Sequence, residues 1–374
     1  MMKVLHLISG GDTGGAKTHI ISLMRQLHKM IDAKVICFIK DSFYDEAVDA
    51  GIDIEVFLQK KRTDLSVINR LKDEIDREGY DIIHCHGARA NFIAMFLKSK
   101  VKKPMITTIH SDYKLDFKDN LYKRLVYTLL NYIALKSFDY YIAISDSFKE
   151  MLVDRGFKEE RIFTVYNGID LESEVHYVSK EDFFERYGIQ ADNKVVVGIM
   201  ARIDLVKDHE TFIKAAYELL QKRKDMVFLI AGTGNDEKRI KSLVYEMGIE
   251  DHVHFLGFVK DQYSFFNAID INVLTSISES FPYVILEGAR LKKMTISTKV
   301  GGIGNLIEDG HNGLLIDVRD SSALAEKLNY LADNREMIRT MGERLLDSVE
   351  KNFSSKRMAE EHCKIYKRIT QYRR

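Results

Sequence analysis

The sequence predicts an α/β protein built from two parallel-sheet domains. Its 374 residues exceed the size of one ordinary core, and two domains are the usual outcome at this length. Short β-rich runs alternate with amphipathic stretches along the chain, which is the pattern of βαβ units. The segment 170–193 is acidic and has no strand pattern, so we expect the domain boundary there. Two such halves imply a ligand-binding cleft at the carboxyl ends of the strands.

The predicted strands fall into two sets, one in each half. The first set is 4–9, 34–39, 81–86, 105–110 and 140–145, with a glycine loop and a helix at about 16–30 after its first strand. The second set is 195–200, 226–231, 252–255, 271–274 and 294–297. The last segment, 353–374, has a helical pattern and is rich in Lys and Arg.

Composition excludes several classes of protein. Lys and Arg number 56, equal to Asp and Glu, so the charge gives no reason to expect a nucleic-acid partner. The three cysteines, Cys37, Cys85 and Cys363, are far apart, which fits buried thiols in a reducing compartment better than disulfides.

No apolar run suggests a signal peptide or a membrane span. The first apolar run is broken at Gly10 and Gly11, too early for a signal peptide, and the run at 125–135 is far below the ~20 residues that cross a bilayer. We expect a cytoplasmic protein that lies free or on the inner face of the cell membrane.

Two cations follow a predicted strand of the second half. Arg202 and Lys207 come just after 195–200. A diphosphate leaving group gains negative charge as its bond to a sugar breaks, and cations fixed beside that charge stabilise the transition state. A metal-dependent site would use an Asp-x-Asp pair, and the chain contains none. We therefore expect these cations to hold a diphosphate without a metal or other cofactor; an ordinary basic loop is the alternative.

Two glutamates, Glu279 and Glu287, lie on a segment that passes from a loop into a helix. Carboxylates accept hydrogen bonds from sugar hydroxyls. The N–H groups of Ser280, Phe281 and Tyr283, near the helix N-terminus, add donors toward a phosphate or a sugar. Alone, the glutamates equally fit a helix cap and a surface residue. Together with the two cations they predict a nucleotide-sugar site.

Several motifs occur in the order and spacing of a known family. They lie at 14–19, 81–86, 107–110, 166–170, 202–207, 232–234, 279–287 and 301–302. Over nearly its whole length the chain resembles the retaining glycosyltransferases of GT-B fold, glycosyltransferase family 4 (glycosyl transferases group 1). Gly304 and Asn305 stand where the family pattern has Pro and Glu.

The resemblance implies two Rossmann-like domains that face each other across a deep cleft. An acceptor domain would occupy 1–175, and a nucleotide-sugar donor domain would occupy 190–354. A C-terminal helix at about 355–374 would cross back to the first domain.

The resemblance also implies roles for individual residues. In the family, the residues matching Arg202 and Lys207 bind the donor diphosphate, the one matching Glu279 contacts donor-sugar hydroxyls, and the one matching Glu287 holds the ribose. His110 matches a histidine that lines the donor sugar near the reacting carbon. The catalytic residues implied are thus His110, Glu279, Arg202 and Lys207.

Further donor and acceptor residues are expected. Besides the residues already given roles, the motifs imply Gly15, Gly232, Ser280, Phe281 and Tyr283 in the donor site. Phe258 and Val259 are added because the base in such pockets is often recognised by backbone groups, which we place around 257–259. Gly14 is expected in the acceptor cleft. His84 and His86 face one side of a strand and are expected in the acceptor cleft or in packing. A metal there is not expected, because no third ligand lies at a useful spacing in the sequence.

The implied reaction is transfer of a hexosyl group from a nucleotide sugar, with UDP favoured. The acceptor would be lipid-linked or a growing cell-surface polysaccharide. Front-face retention is implied, in which the leaving phosphate helps to deprotonate the acceptor. A GT-B-like nucleotide-sugar epimerase and a non-catalytic sugar-binding subunit are alternatives. A dehydrogenase is disfavoured because Asp12 occupies the second glycine position of Gly-x-Gly-x-x-Gly.

A basic stretch lies in the first half. Between Lys98 and Lys136, Lys and Arg outnumber Asp by nine to three, and the apolar residues Leu121, Leu125, Leu129 and Ile133 recur at helical spacing. This pattern fits a face that lies on an anionic membrane and admits a lipid-linked acceptor. A core helix with a solvated basic side fits it equally well.

Overall fold

The computed structural model describes residues 1–11, 14–61, 64–112 and 121–371, with side chains in the last range described from residue 128. The chain divides into two compact units. The first comprises Met1–Asp170 and Ser354–Arg374, and the second comprises Leu171–Phe353. Each unit is an α/β structure with its own parallel sheet.

The first unit contains a seven-stranded parallel sheet in the order β3-β2-β1-β4-β5-β6-β7. Its strands are β1 (Lys3–Ile8), β2 (Asp32–Cys37), β3 (Ile54–Val56), β4 (Ile82–His86), β5 (Met105–Ile109), β6 (Tyr140–Ala143) and β7 (Ile162–Thr164). The central strands are buried along their whole length, as expected when helices cover both faces of a parallel sheet.

In the described part of this unit, α-helices connect the strands. They are α1 (Gly15–Leu27), α2 (Ser42–Asp49), α3 (Val67–Glu78), α4 (Gly87–Leu97), α5 (Leu121–Lys136) and α6 (Asp146–Asp154). Local signals set several of their ends: Ser145 caps α6 by accepting from the N–H of Phe148, and Gly79 ends α3 in the left-handed conformation.

The second unit contains a six-stranded parallel sheet in the order β10-β9-β8-β11-β12-β13. Its strands are β8 (Val195–Met200), β9 (Met226–Ala231), β10 (Val253–Gly257), β11 (Ile271–Leu274), β12 (Met294–Thr298) and β13 (Leu314–Ile316). Its helices are α7 (Lys180–Tyr187), α8 (His209–Leu220), α9 (Glu237–Glu246), α10 (Gln262–Ala268), α11 (Tyr283–Arg290), α12 (Ile303–Leu306), α13 (Ser321–Asp333) and α14 (Arg335–Asn352).

The C-terminal helix α15 (Ser355–Gln371) belongs to the first unit, where it packs on α1. Its Met358, Cys363 and Tyr366 join the core formed by α1 and the sheet. Cys37 and Cys85 are buried as well, and no cysteine forms a disulfide. The expected return of the last helix to the first domain is therefore confirmed.

The predicted strands were found within two residues of their predicted ends. Three strands, β3, β7 and β13, were missed because each has only three residues, too few to show a periodic pattern. The segment 170–193, expected to be a linker, contains α7. Its Phe183 packs with Ile189 and Ala191 in a core of the second unit.

In both sheets the order of strands reverses at one place, between β1 and β4 in the first sheet and between β8 and β11 in the second. In sheets of this kind, ligands bind outside the carboxyl ends of the strands at that point. Among the residues that the structure describes, no helix is both long and apolar enough to cross a membrane.

The predicted basic stretch is only partly described. Lys114 and Lys118 lie outside the described residues, and so do the side chains of Lys123 and Arg124. In the described part of α5, Leu129 and Ile133 are 59% and 46% exposed, so these two residues do not belong to a core.

Candidate functional site

The loop between β8 and α8 is organised by one aspartate. The Oδ1 atom of Asp204 accepts from the backbone N–H groups of Val206 at 2.9 Å and Lys207 at 3.1 Å. Its Oδ2 atom accepts from Nε of Arg202 at 2.5 Å, while 74% of the Arg202 side chain stays exposed. Asp204 thus pairs with the side chain of Arg202 and holds the backbone at Lys207. It was missed from the sequence, although an Asp inside a short loop after a strand is a recognisable turn signal.

The same loop is attached to the end of β11. The hydroxyl of Thr275 donates to the carbonyl oxygens of Lys207 at 3.0 Å and Asp208 at 2.9 Å. The N–H of Ile277 donates to the carbonyl of Val206 at 2.8 Å. Because β8 and β11 are neighbours at the reversal point, these bonds join the two loops that leave it.

This arrangement brings Lys207 and Glu279 together. Nζ of Lys207 lies 2.5 Å from Oε1 of Glu279, and the hydroxyl of Ser276 donates to the same oxygen at 2.6 Å. Both side chains of the ion pair are largely shielded from solvent. A cation and a carboxylate are therefore held side by side by the loops that follow β8 and β11.

The loop after β12 packs against the backbone of Glu279 and of the residue that follows it. Gly301 has a φ angle of +55°, and a Cβ atom there would overlap the carbonyl oxygen of Glu279. The N–H of Gly302 donates to the carbonyl of Ser280 at 2.8 Å. Only glycine at 301 permits this close approach without strain. Gly304 and Asn305, which depart from the family pattern, lie in α12.

Glu287 lies on α11 and is only 7% exposed. Burial raises the pKa of its carboxyl group to about 7, because desolvation disfavours the charged form. Its one described hydrogen-bond partner is Gln262 on α10, whose Nε2 donates to Oε1 at 3.2 Å. Gln262 was not singled out from the sequence.

The other predicted donor residues differ in exposure. The Phe281 ring is buried and packs on Phe353 with 5.1 Å between ring centroids, and Tyr283 is also buried. These two can face a ligand through their backbone N–H groups rather than their rings. Phe258, unlike these two residues, is 78% exposed. The next residue, Val259, is partly buried and packs against a hydrophobic core cluster of the second unit.

Packing of the backbone explains why a glycine, Gly232, follows β9. Its φ angle is +144°, and a Cβ there would collide with the carbonyl oxygen of Ala201. This close approach of backbone supports the base of the Arg202 loop.

A second group of polar residues lies at the reversal point of the first sheet. It is a histidine cluster of His6 on β1, His19 on α1, His84 and His86 on β4, His110 after β5, and His362 on α15. All of these are fully buried except His110, which is partly exposed. His84 and His86 were expected to face one side of a strand. The structure adds four histidines around them that are distant in sequence.

Hydrogen bonds link the rings of the cluster. Nε2 of His110 lies 3.3 Å from Nδ1 of His86, and Nε2 of His86 lies 3.1 Å from Nδ1 of His6. Both ring nitrogens of His84 are occupied, by the hydroxyls of Tyr366 at 2.6 Å and Thr108 at 2.8 Å.

Burial is the main cause of the lowered pKa values in the histidine cluster. It lowers the pKa of His6 to about 3, and those of His110 and His362 to about 4. The pKa values of His19, His84 and His86 also lie well below the usual range, since burial and then the neighbouring imidazoles disfavour a positive charge. At neutral pH the rings are therefore uncharged.

The predicted acceptor residues occupy different places in this unit. Gly14 is the N-cap of α1 with a φ angle of +71°, and Gly15 is the first residue of the helix. His84 has no exposed surface, so it presents no atom to a ligand in this structure. Of the histidine cluster, His110 is the member that reaches the surface.

Two protein-family models match the chain, one in each half. The model of Glycosyltransferase Family 4 matches residues 13–173, and the model of Glycosyl transferases group 1 matches residues 179–345. Together they span most of the chain.

Named relatives and solved structures agree with these matches. The chain is 28% identical to the N-acetyl-alpha-D-glucosaminyl L-malate synthase of Bacillus anthracis, over 81% of this chain and 78% of the relative. It is 24% identical to the UDP-Gal:alpha-D-GlcNAc-diphosphoundecaprenol alpha-1,3-galactosyltransferase of Escherichia coli, over 82% of each. The crystal structure of Anabaena Alr3699/HepE in complex with UDP-glucose superposes with a TM-score of 0.82 at 22% identity, covering 98% of this chain and 99% of that one.

Proposed function

The chain belongs to the family 4 glycosyltransferases of GT-B fold, and on that premise we propose that it moves a hexosyl group from a UDP-sugar to a sugar acceptor with retention of configuration. The acceptor in this proposal is a lipid-linked glycan or a growing cell-surface polysaccharide. No metal or other cofactor takes part.

The proposal depends chiefly on the Lys207–Glu279 ion pair and on Arg202, which lies in the same loop as Lys207. The departing nucleoside diphosphate gains negative charge as the glycosidic bond breaks, and two fixed cations stabilise that charge without reorganising. The carboxylate of Glu279 accepts hydrogen bonds from hydroxyls of the donor sugar. The ion pair keeps Lys207 and Glu279 in place, so that sugar and diphosphate are held at neighbouring positions.

Glu287 is proposed to hold the ribose of the donor. A ribose hydroxyl that donates to its carboxylate favours the charged form. Burial makes that hydrogen bond stronger than in water, because the surroundings have a low dielectric constant. Gln262 keeps the carboxylate oriented by donating to one of its oxygens.

Retention is proposed to proceed on one face of the sugar. The bond between the anomeric carbon and the phosphate oxygen breaks, and the acceptor oxygen bonds to the same face. The acceptor proton passes to the departing phosphate oxygen, so the reaction needs no covalent nucleophile from the protein. Arg202 and Lys207 stabilise the charge that remains on the diphosphate.

The choice of UDP and of a lipid-linked acceptor is supported by similar proteins. The Anabaena structure contains UDP-glucose, and the name of the Escherichia coli relative gives UDP-Gal as donor and a diphosphoundecaprenol-linked sugar as acceptor. In this chain, the packed helices α4 and α5 expose Phe96, Leu129 and Ile133, and Lys100 and Lys102 are exposed between the two helices in sequence. Exposed apolar and basic residues suit a reversible membrane contact.

The test is a thermal-shift panel of UDP, GDP, ADP and their sugars, followed by product analysis. We expect UDP and its sugars to raise the melting temperature most, because a ligand that binds the folded state stabilises it. The product should keep the anomeric configuration of the donor. Stabilisation by another nucleotide alone would refute the UDP assignment, and an altered free sugar formed without acceptor would identify an epimerase.

A further inference from the structure

Three members of the histidine cluster bring ring nitrogens close together. One ring nitrogen each from His19, His86 and His110 lies within 4.8 Å of those of the other two. The facing nitrogens of His86 and His110 are 3.3 Å apart. This is about the separation of two nitrogens on a tetrahedral ion with bonds of ~2.0–2.1 Å. The distance is long for a hydrogen bond between nitrogens, so a shared ion fits it at least as well.

His19 presents an unused lone pair inside this group. Its Nδ1 lies 2.9 Å from the side-chain oxygen of Asn167, an acceptor, so Nδ1 carries the proton. Nε2 is then an unprotonated acceptor, and it is buried with no hydrogen-bond partner among the described residues. Metal-binding histidines commonly donate their other ring N–H to an oxygen acceptor in this way.

We propose that His19, His86 and His110 form a binding site for a transition-metal ion that favours imidazole ligands, such as Zn²⁺. Three imidazoles leave one tetrahedral position open for water or another oxygen ligand. His110 is partly exposed, which gives the ion a route of entry that the fully buried members lack. The three residues all belong to the first unit, whereas Arg202, Lys207, Glu279 and Glu287 belong to the second.

The hydrogen bonds around these rings suit such an ion, which binds the neutral form of imidazole. His86 can bind the ion through Nδ1 while its Nε2 donates to Nδ1 of His6, which lies 3.1 Å away. β4, the end of β5 and α1 hold the three ligands on regular elements of the fold.

The neighbouring group of His6, His84 and His86 is a weaker candidate. Its ring nitrogens also lie within 4.8 Å of one another. However, both nitrogens of His84 are already bonded to hydroxyls, and all three side chains are fully buried. An ion bound there would replace a hydrogen bond of His84, and it would have no side open to solvent.

The experiment uses the full chain, free of any polyhistidine tag and treated with chelator, titrated with Zn²⁺ alone in a calorimeter. We expect one ion per chain, with affinity reduced at least tenfold in each of the variants His19→Gln and His86→Gln. His311→Gln, at an exposed position of the second unit, is the matched control and should bind like the unmodified chain.

X-ray absorption on the zinc-loaded unmodified chain provides a test that needs no variant to fold. Three imidazole nitrogens at ~2.0–2.1 Å are expected. No stoichiometric binding, fewer than three imidazoles, or undiminished binding by folded His19→Gln and His86→Gln would overturn the proposal. Donor binding and transfer are tested separately on the zinc-free chain, so failure of the metal site and failure of the proposed function are distinguishable.

Discussion

Lys207 and Glu279 form an ion pair across 72 residues of sequence, with 2.5 Å between Nζ and Oε1. The pair exists because the loops after β8 and β11 leave neighbouring strands and are joined through Thr275 and Ile277. A cation and a carboxylate from distant parts of the sequence therefore occupy one place. Five predictions test what this site and the first unit do.

Replacing Lys207 or Arg202 by Ala should reduce turnover ~10²–10³-fold, because each cation stabilises the leaving diphosphate. Lys222→Ala, an exposed lysine at the end of α8, is the control and should keep full turnover. Initial rates of transfer measure the effect, and circular dichroism checks that each variant is folded. Turnover within a few-fold of the unmodified enzyme in either variant would contradict the assigned role.

Glu279→Gln and Glu287→Gln should separate sugar binding from nucleotide binding. Glu279→Gln should lower turnover more than affinity for free UDP, because its carboxylate contacts the sugar. Glu287→Gln should weaken the binding of free UDP as well, through the lost ribose contact. Calorimetry with UDP and rate measurements on both variants decide the matter, and equal losses of UDP affinity would argue against this division.

The affinity for a UDP-sugar should rise with pH through about 7, the raised pKa of Glu287. The ribose hydroxyl binds the ionised carboxylate, which is mostly protonated at pH 6 and mostly ionised at pH 8. The increase should be up to about tenfold. A nucleotide sugar is the right probe, because its diphosphate does not titrate in this range. Glu287→Gln should show a flat profile, and a pH-independent affinity in the unmodified enzyme would oppose the ribose contact.

Turnover should survive chelation. The donor site relies on two fixed cations, and the ion proposed at His19, His86 and His110 is not required for transfer. Enzyme treated with EDTA should therefore keep its rate of transfer within about twofold of the untreated enzyme. A change of this size is smaller than the loss expected when one transition-state interaction is removed. Loss of activity that Mg²⁺ or Mn²⁺ restores would mean that a metal neutralises the diphosphate.

The first unit should bind anionic vesicles. Phosphatidylglycerol liposomes should co-sediment the enzyme at low salt and release it at high salt, since basic residues contribute about 1 kcal/mol each near an anionic surface. Leu129→Glu with Ile133→Glu should weaken binding, because both positions are exposed. Tyr245→Glu, at an exposed apolar position of the second unit, is the control. Absence of binding at low salt would favour a soluble acceptor.

The sequence alone determined much of the architecture. Apolar runs such as 195–200 and 226–231 predicted buried parallel strands, because burial on both faces demands continuous hydrophobic residues. Arg202, Lys207, Glu279 and Glu287 became candidates because their charge and hydrogen-bonding groups suit a nucleotide sugar, and the family was recognised from the order of the motifs.

Only the tertiary structure decided which of these residues meet. The sheet order places β8 beside β11 and β1 beside β4, so it joins Lys207 to Glu279 and gathers histidines from five separate elements around His86. Burial also raises the pKa of Glu287 to about 7, which no local pattern indicates. Periodicity and turn chemistry depend on neighbours along the chain, whereas strand order and desolvation depend on residues brought together from distant segments.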